Sequence, residues 1–190
     1  MYADESLLVC EKPVGVSSES PGLPDLIQEQ EGFPVFPVHR LDQTTGGAMM
    51  LARSPAACAA LQRQFQEDLV IKEYLAVVSG VPETDSGLFA DLLYHDQRSN
   101  KTFVVDKPRK GVKEASCSWT VVETTEGAQG ALNLIRIRLH SGRTHQIVFS
   151  LPPGKCRSSE TAATAAGSKR MPRRSGPPVS VFPVRSRMAE

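Results

Sequence analysis

No stretch of this 190-residue chain is apolar for long enough to cross a membrane as a helix, and no basic segment followed by an apolar run stands at its start. A soluble, cytoplasmic protein is the expectation. Cysteines are few, and Cys10, Cys58, Cys117 and Cys156 lie far apart, without the paired spacing of a zinc knuckle or a disulfide framework. Free, mostly buried thiols are expected. His39, His95, His140 and His145 show neither helical i, i+4 spacing nor a Cys/His pattern, which argues against a metal site. The glycines form no phosphate-binding fingerprint, so Gly46-Gly47 does not read as a nucleotide loop, and no serine stands in a nucleophile elbow. Neither a metal nor a nucleotide cofactor is therefore expected.

An excess of one charge is also lacking, since the formal net charge is only +1. The total hides an asymmetry. Residues 1–147 carry 14 Lys+Arg against 19 Asp+Glu, a net of −5, whereas residues 148–190 carry 8 against 2, a net of +6. A basic tail invites a reading as a phosphate-binding arm, but it has almost no periodicity and is rich in Ser, Pro, Ala and Arg, a composition of disorder.

What is there reads as one domain over residues 1–150, followed by a tail over 151–190. Leu7-Leu8-Val9-Cys10 reads as a strand ending at Lys12-Pro13, and Pro24 to Gln30 as a short helix opened by its proline. Ala48 to Ala52 is an apolar run of strand length. Ser54-Pro55 then supplies an N-cap and a first-turn proline to a helix whose Cys58, Leu61 and Phe65 recur on one face, predicted to pack on a sheet. Val70 to Val78, Thr102 to Val105, and the alternations Ala115-Cys117-Trp119-Val121 and Ile135-Ile137-Leu139 give further strands, with Arg136 and Arg138 on the face opposite the isoleucines. Strands outnumber helices and the connections are too short for helical crossovers. The fold class is α+β, built on a mixed, largely antiparallel sheet with flanking helices.

Chemistry concentrates in Val38-His39-Arg40-Leu41-Asp42-Gln43-Thr44-Thr45-Gly46-Gly47, where one carboxylate stands between an arginine and a turn with two glycines. Alone, an Asp beside such a turn is more often a turn former that bonds its own backbone. Three other stretches change that weighting: Leu8-Val9-Cys10-Glu11-Lys12-Pro13-Val14-Gly15, Lys72-Glu73-Tyr74-Leu75-Ala76-Val77-Val78 and Gly142-Arg143-Thr144-His145-Gln146-Ile147. In these four motifs and their order the chain resembles the RluA-like branch of RNA pseudouridine synthases, which act on large-subunit ribosomal and transfer RNA. The resemblance implies an isomerase that turns uridine into pseudouridine without cofactor, with RNA as partner, and a monomer is expected.

By the same resemblance, Asp42 is the essential carboxylate, Arg143 the cation that pairs with it and keeps it ionised, and Tyr74 the ring that stacks on the target base. Arg40 would keep the displaced nucleotide out of the RNA stack. His39, Thr45 and Ile147 belong to the substrate side of the same motifs. Specificity would rest on loops such as Tyr94 to Val112, with five Lys/Arg residues, although such a loop is more often a solvated face than a recognition element.

The resemblance stops after Ile147, where Val148 stands in place of the family's second arginine. One base restored after the Ile147 codon, with codons allowed for Val148 to Arg170, lets the shifted frame spell RVQFASRKMPFVGDSRYGGRIE, which supplies that arginine and the family's Gly-Asp and Tyr-Gly. On this reading the residues from 148 are an out-of-frame tail and the chain is a truncated catalytic domain. The alternative to an active enzyme is then a non-catalytic remnant that at most binds RNA weakly.

Overall fold

A computed structural model describes residues 2–79, 84–127, 130–143, 145–147 and 180–188. The chain divides into two compact units, Met1–Glu73 with Phe182–Glu190, and Tyr74–Val181.

In the first unit, strands β1 (Tyr2–Ala3), β2 (Leu7–Lys12), β3 (Phe36–Pro37) and β4 (Gly47–Ala52) form an antiparallel sheet in the order β1-β2-β4-β3. The β2–β4 register sets Leu8 opposite Leu51 and Cys10 opposite Met49, so the alternating apolar side chains of both strands fall on one face. Helix α1 (Leu23–Glu31) covers that face with Leu23 and Ile27, and Val35 completes the core. Full burial of each such side chain contributes about 1.5–3 kcal/mol. Asp25 reaches back from the third helical position to the Gly22 N–H at 2.7 Å and so caps the helix start.

Helix α2 (Pro55–Gln66) begins where the Ser-Pro signal predicts, with the Ser54 hydroxyl accepting the Ala57 N–H at 3.2 Å. Its apolar stripe is half-buried rather than a core face, and it lies against both β4 and the two-residue strand β3, where Cys58 Sγ reaches the Pro37 carbonyl at 3.5 Å. Cys10 and Cys117 are buried free thiols, while Cys58 is half-buried; Cys156 lies outside the described residues.

The remaining strands, β5 (Val70–Ser79), β6 (Ser86–Asp96), β7 (Lys101–Val105), β8 (Val112–Gly127), β9 (Gly130–Leu139) and β10 (Ser180–Met188), form a sheet in the order β10-β5-β9-β8-β6-β7. The pairs β6–β7, β6–β8 and β8–β9 are antiparallel. The architecture is α+β with two sheets, where the sequence pattern suggested one. Ala76, Val78, Cys117, Ile135 and Ile137 form the core of the second unit, and Arg136 and Arg138 stay exposed on the opposite face, as period two requires.

A bulge in β8 between Val121 and Glu123 shifts the register by one residue. Beyond it the inward position of β9 is taken by Asn133, whose amide oxygen accepts the Thr124 hydroxyl at 2.5 Å. Two longer strands were not legible in the sequence. In β6, apolar residues occupy both parities, Leu88, Ala90 and Leu92 against Phe89 and Leu93, which hides the period. β10 lies in the stretch whose composition reads as disorder; it is the edge strand, where Pro183 breaks no central ladder.

Candidate active site

Of the seven residues singled out by sequence, His39, Arg40, Asp42 and Thr45 share one loop of the first unit. Tyr74, Arg143 and Ile147 belong to the second.

The Asp42 loop runs from the end of β3 to the start of β4, and three sets of bonds hold it. Ahead of the carboxylate, Leu41 is buried and its backbone is gripped at both ends by the buried Ser18 hydroxyl, which accepts the Leu41 N–H at 2.9 Å and donates to the Leu41 carbonyl at 2.7 Å. Behind it, the turn Asp42–Thr45 closes through the Thr45 N–H to the Asp42 carbonyl at 2.9 Å, with Thr45 itself buried. Across from it, the Lys12-Pro13-Val14-Gly15 turn is bridged in both directions: the Gly15 N–H donates to the Gln43 carbonyl at 2.7 Å, and the Gln43 amide donates to the Gly15 carbonyl at 2.8 Å.

This close approach explains the glycines. A Cβ on Gly46 would lie 3.0 Å from Val14 Cγ2 and 3.3 Å from the Lys12 carbonyl, and Gly47 has φ of 129°.

Sequence reasoning assigned no role to Lys12, yet it is 0% exposed and among the largest wholly buried side chains. Its ammonium donates to the carbonyls of Val16 at 2.7 Å, Pro13 at 3.0 Å and Gln43 at 3.5 Å, tying its own turn to the Asp42 loop. Burial lowers the Lys12 pKa, and the Asp42 charge opposes that shift by favouring the ammonium. The only sequence signal for this role was a lysine closing an apolar strand, the one polar side chain at an inward position of β2.

His39 turns its ring into the protein, stacked on Phe65 at 4.8 Å and 23°, with Nε2 accepting the Met50 N–H at 3.1 Å. Desolvation pushes its pKa down to about 4, Lys72 adding to that and a hydrogen bond to the Arg40 backbone opposing it. Arg40 projects to solvent, its guanidinium 3.5 Å from the Glu19 carboxylate with both side chains more than half exposed, so the pair costs little to break.

In the second unit, Tyr74 is half-buried on β5 and packs against the core. Ile147 is 8% exposed within that core, so its side chain supports the arginine motif from beneath. Arg143 is exposed on a short loop after β9. The buried Gln146 fixes that loop: its carbonyl oxygen accepts the Arg143 N–H at 3.0 Å and the Ser141 hydroxyl at 2.8 Å, while its amide donates to the Ser116 carbonyl at 3.0 Å. The Arg143 Nε in turn donates to the Glu114 carbonyl at 2.9 Å. Thr144 lies outside the described residues.

Arg143 lines a cleft of about 920 Å³ with Tyr94, His95, Arg98, Lys110 and Lys113. The loop read as a solvated face thus supplies Arg98 and Lys110, half of this cationic wall. Arg109 lies 4.8 Å over the Tyr94 ring, and Gly111, with φ of 86°, comes so close to that ring that a Cβ would meet it at 3.3 Å. Those contacts hold the loop against β6.

The family model described as RNA pseudouridylate synthase matches residues 6–148. An RNA pseudouridine synthase of Aquifex aeolicus, recorded as uncharacterized, is 34% identical over 165 residues, covering 77% of this chain and 49% of that protein. The dual-specificity RNA pseudouridine synthase RluA of Vibrio vulnificus is 33% identical over 154 residues, covering 77% of this chain and 61% of that one. This chain spans about half the length of the first curated relatives it matches. Among solved structures, human RNA Pseudouridylate Synthase Domain Containing 1 superposes with a TM-score of 0.74 over 98% of this chain and 76% of that one, at 18% identity, a likeness of fold. Matched across residues 6–148, which hold all four motifs in order, the chain belongs to the RNA pseudouridylate synthase family.

Proposed function

We propose that this chain isomerises uridine to pseudouridine within an RNA, ribosomal or transfer, in the cytoplasm and as a monomer. The observation that carries this reading is the family match over residues 6–148, which contains Asp42 on a loop pinned from both sides. The reaction breaks the N1–C1′ bond of uridine, turns the base and joins C5 to C1′. The C5 proton leaves to solvent and N1 takes one up, so nothing is oxidised or reduced and no cofactor is needed. A carboxylate suits it either as a nucleophile or as a counter-charge to an oxocarbenium-like sugar.

In this reading Asp42 is that carboxylate and Arg143 its cationic partner, Tyr74 stacks on the base, and Arg40 exchanges Glu19 for the displaced nucleotide. Two named relatives support an RNA substrate: RluA of Vibrio vulnificus is called dual-specificity, and a mitochondrial relative of Saccharomyces cerevisiae a tRNA pseudouridine(32) synthase. The test is tritium release from RNA labelled at uridine C5. Wild type is expected to release it and Asp42→Asn to fall to the enzyme-free background while still binding RNA; equal turnover by the two sinks the reading.

One observation favours a second reading, a non-catalytic remnant: the family match ends at residue 148, and by the resemblance Val148 stands where the family carries a second arginine. We propose that residues 148–190 are an out-of-frame read. Resequencing the gene across the codons for Gln146 to Pro153 decides it: an additional base means a complete synthase whose present tail is an artefact, and the unchanged sequence overturns the frame reading and leaves the truncated chain as the product. A remnant is expected to melt without a cooperative transition, whereas a sharp one argues for the enzyme.

A further inference from the structure

We propose that His39 is a positioning residue, its imidazole standing in for a strand carbonyl at the point where the chain leaves the sheet to form the Asp42 loop. The argument starts from register. β3 pairs with β4 as Phe36 opposite Ala52 and Pro37 opposite Leu51, so the next residue, Val38, stands opposite Met50. The first half of an antiparallel exchange is present there, the Val38 N–H donating to the Met50 carbonyl at 3.3 Å.

The second half, from the Met50 N–H back to the Val38 carbonyl, is what a continuing ladder would supply. In its place the Met50 N–H goes to His39 Nε2 at 3.1 Å. One side chain thereby satisfies the donor that the departing backbone abandons. The chain can then turn out of the sheet three residues before Asp42 without leaving a polar group of β4 unpaired.

The ring is held for this duty. Phe65 of α2 stacks on one side of it at 4.8 Å, and a hydrogen bond joins it to the backbone of Arg40. An acceptor at Nε2 requires the neutral ring with its proton on Nδ1, and an enclosed ring beside Lys72 stays neutral well below pH 6. His39 therefore faces the protein through both its plane and its edge. The role assigned is the placing of Arg40 and Asp42 rather than contact with RNA.

The inference rests on the isomerase reading for its kinetic consequence and on register alone for the bond. Three variants of the full chain separate positioning from stability. His39→Phe keeps the stack and removes the acceptor, and is expected to lower kcat by about 10- to 100-fold with KM nearly unchanged, the effect of a small misplacement of a reacting group. His39→Gln places an amide oxygen near the position of Nε2 and is expected to recover most of that loss. Phe65→Leu loosens the ring's seat but keeps the acceptor, and is expected to lower the melting temperature with a smaller loss of kcat than His39→Phe.

Equal losses of kcat in the Phe and Gln variants overturn the proposal, as does an active His39→Phe. Hydrogen exchange at the Met50 amide gives a second reading that needs no turnover. Fast exchange in His39→Phe with protection kept in His39→Gln supports the bond, and unchanged protection in His39→Phe overturns it. A wild type that binds and turns over no RNA overturns the isomerase reading, and the Met50 amide still decides the role of His39.

Discussion

At the scale of single residues, two buried or enclosed titratable groups carry consequences beyond their motifs. Lys12 offers its ammonium to three backbone carbonyls from a site without solvent. Replacing it by methionine keeps the length and removes every donor, so those acceptors lose their partners. Denaturant titration of Lys12→Met is expected to show a loss of about 2–4 kcal/mol, with Lys12→Arg intermediate because a planar fork does not fit the same pocket. His39 gives a pH signature. Its pKa is about 4 folded against the ordinary 6.5, so the unfolded chain takes up the proton first as pH falls. The stability from keeping the ring neutral is whole above pH 6.5 and drains away between 6.5 and about 4. The difference in stability between pH 7 and pH 4 is expected to be smaller in His39→Gln than in wild type by roughly 3 kcal/mol or less.

At the scale of elements, the site is a meeting of two turns. The Lys12–Gly15 turn and the Asp42–Gly47 loop exchange backbone and side-chain bonds at distances of 2.7–3.5 Å, with room between them only for a glycine at 46. Gly46→Ala forces Val14 or the loop to yield. Far-UV and thermal measurements are expected to change little, because the clash lies at a loop end, while turnover falls at least about tenfold through displacement of Asp42; an Ala variant with wild-type turnover would show that the loop relaxes freely. The helices were legible because their ends are written in local chemistry, a Ser-Pro cap for α2 and an early proline for α1. β6 was not, since apolar residues of both parities give no period to read.

At the scale of the whole molecule, the net charge of +1 says little about RNA, and the excess of positive charge in residues 148–190 says less. The local clustering matters more: Arg98, Lys110, Lys113 and Arg143 line one cleft of the second unit. If RNA phosphates lie along it, the double variant Lys110→Gln/Lys113→Gln is expected to flatten the dependence of log Kd on log salt by roughly 1.5, two phosphate contacts' worth, for any RNA sequence. Arg136→Gln/Arg138→Gln removes as much charge from an exposed face of β9 outside that cleft and is expected to leave the slope unchanged. Filter binding across a salt series distinguishes the two. Equal slopes for both double variants would return Lys110 and Lys113 to a solvated face.

The sequence by itself determined the α+β class, the positions of β2, β4, β5 and both helices, and the motifs that place the chain in its family, because strand period, helix caps and motif order are local and survive without a third dimension. It could not reveal what holds Asp42 in place. Ser18, Lys12 and His39 act from 24, 30 and 3 positions before the carboxylate, and their bonds go to backbone atoms, which every residue carries and no sequence pattern marks. Nor could it show that Gln146 and Ile147, adjacent to Arg143 in one motif, are buried beneath it. Only packing decided which polar groups lost water and which backbone groups they had to satisfy, and that division sets the supports of the Asp42 loop apart from the side chains left exposed.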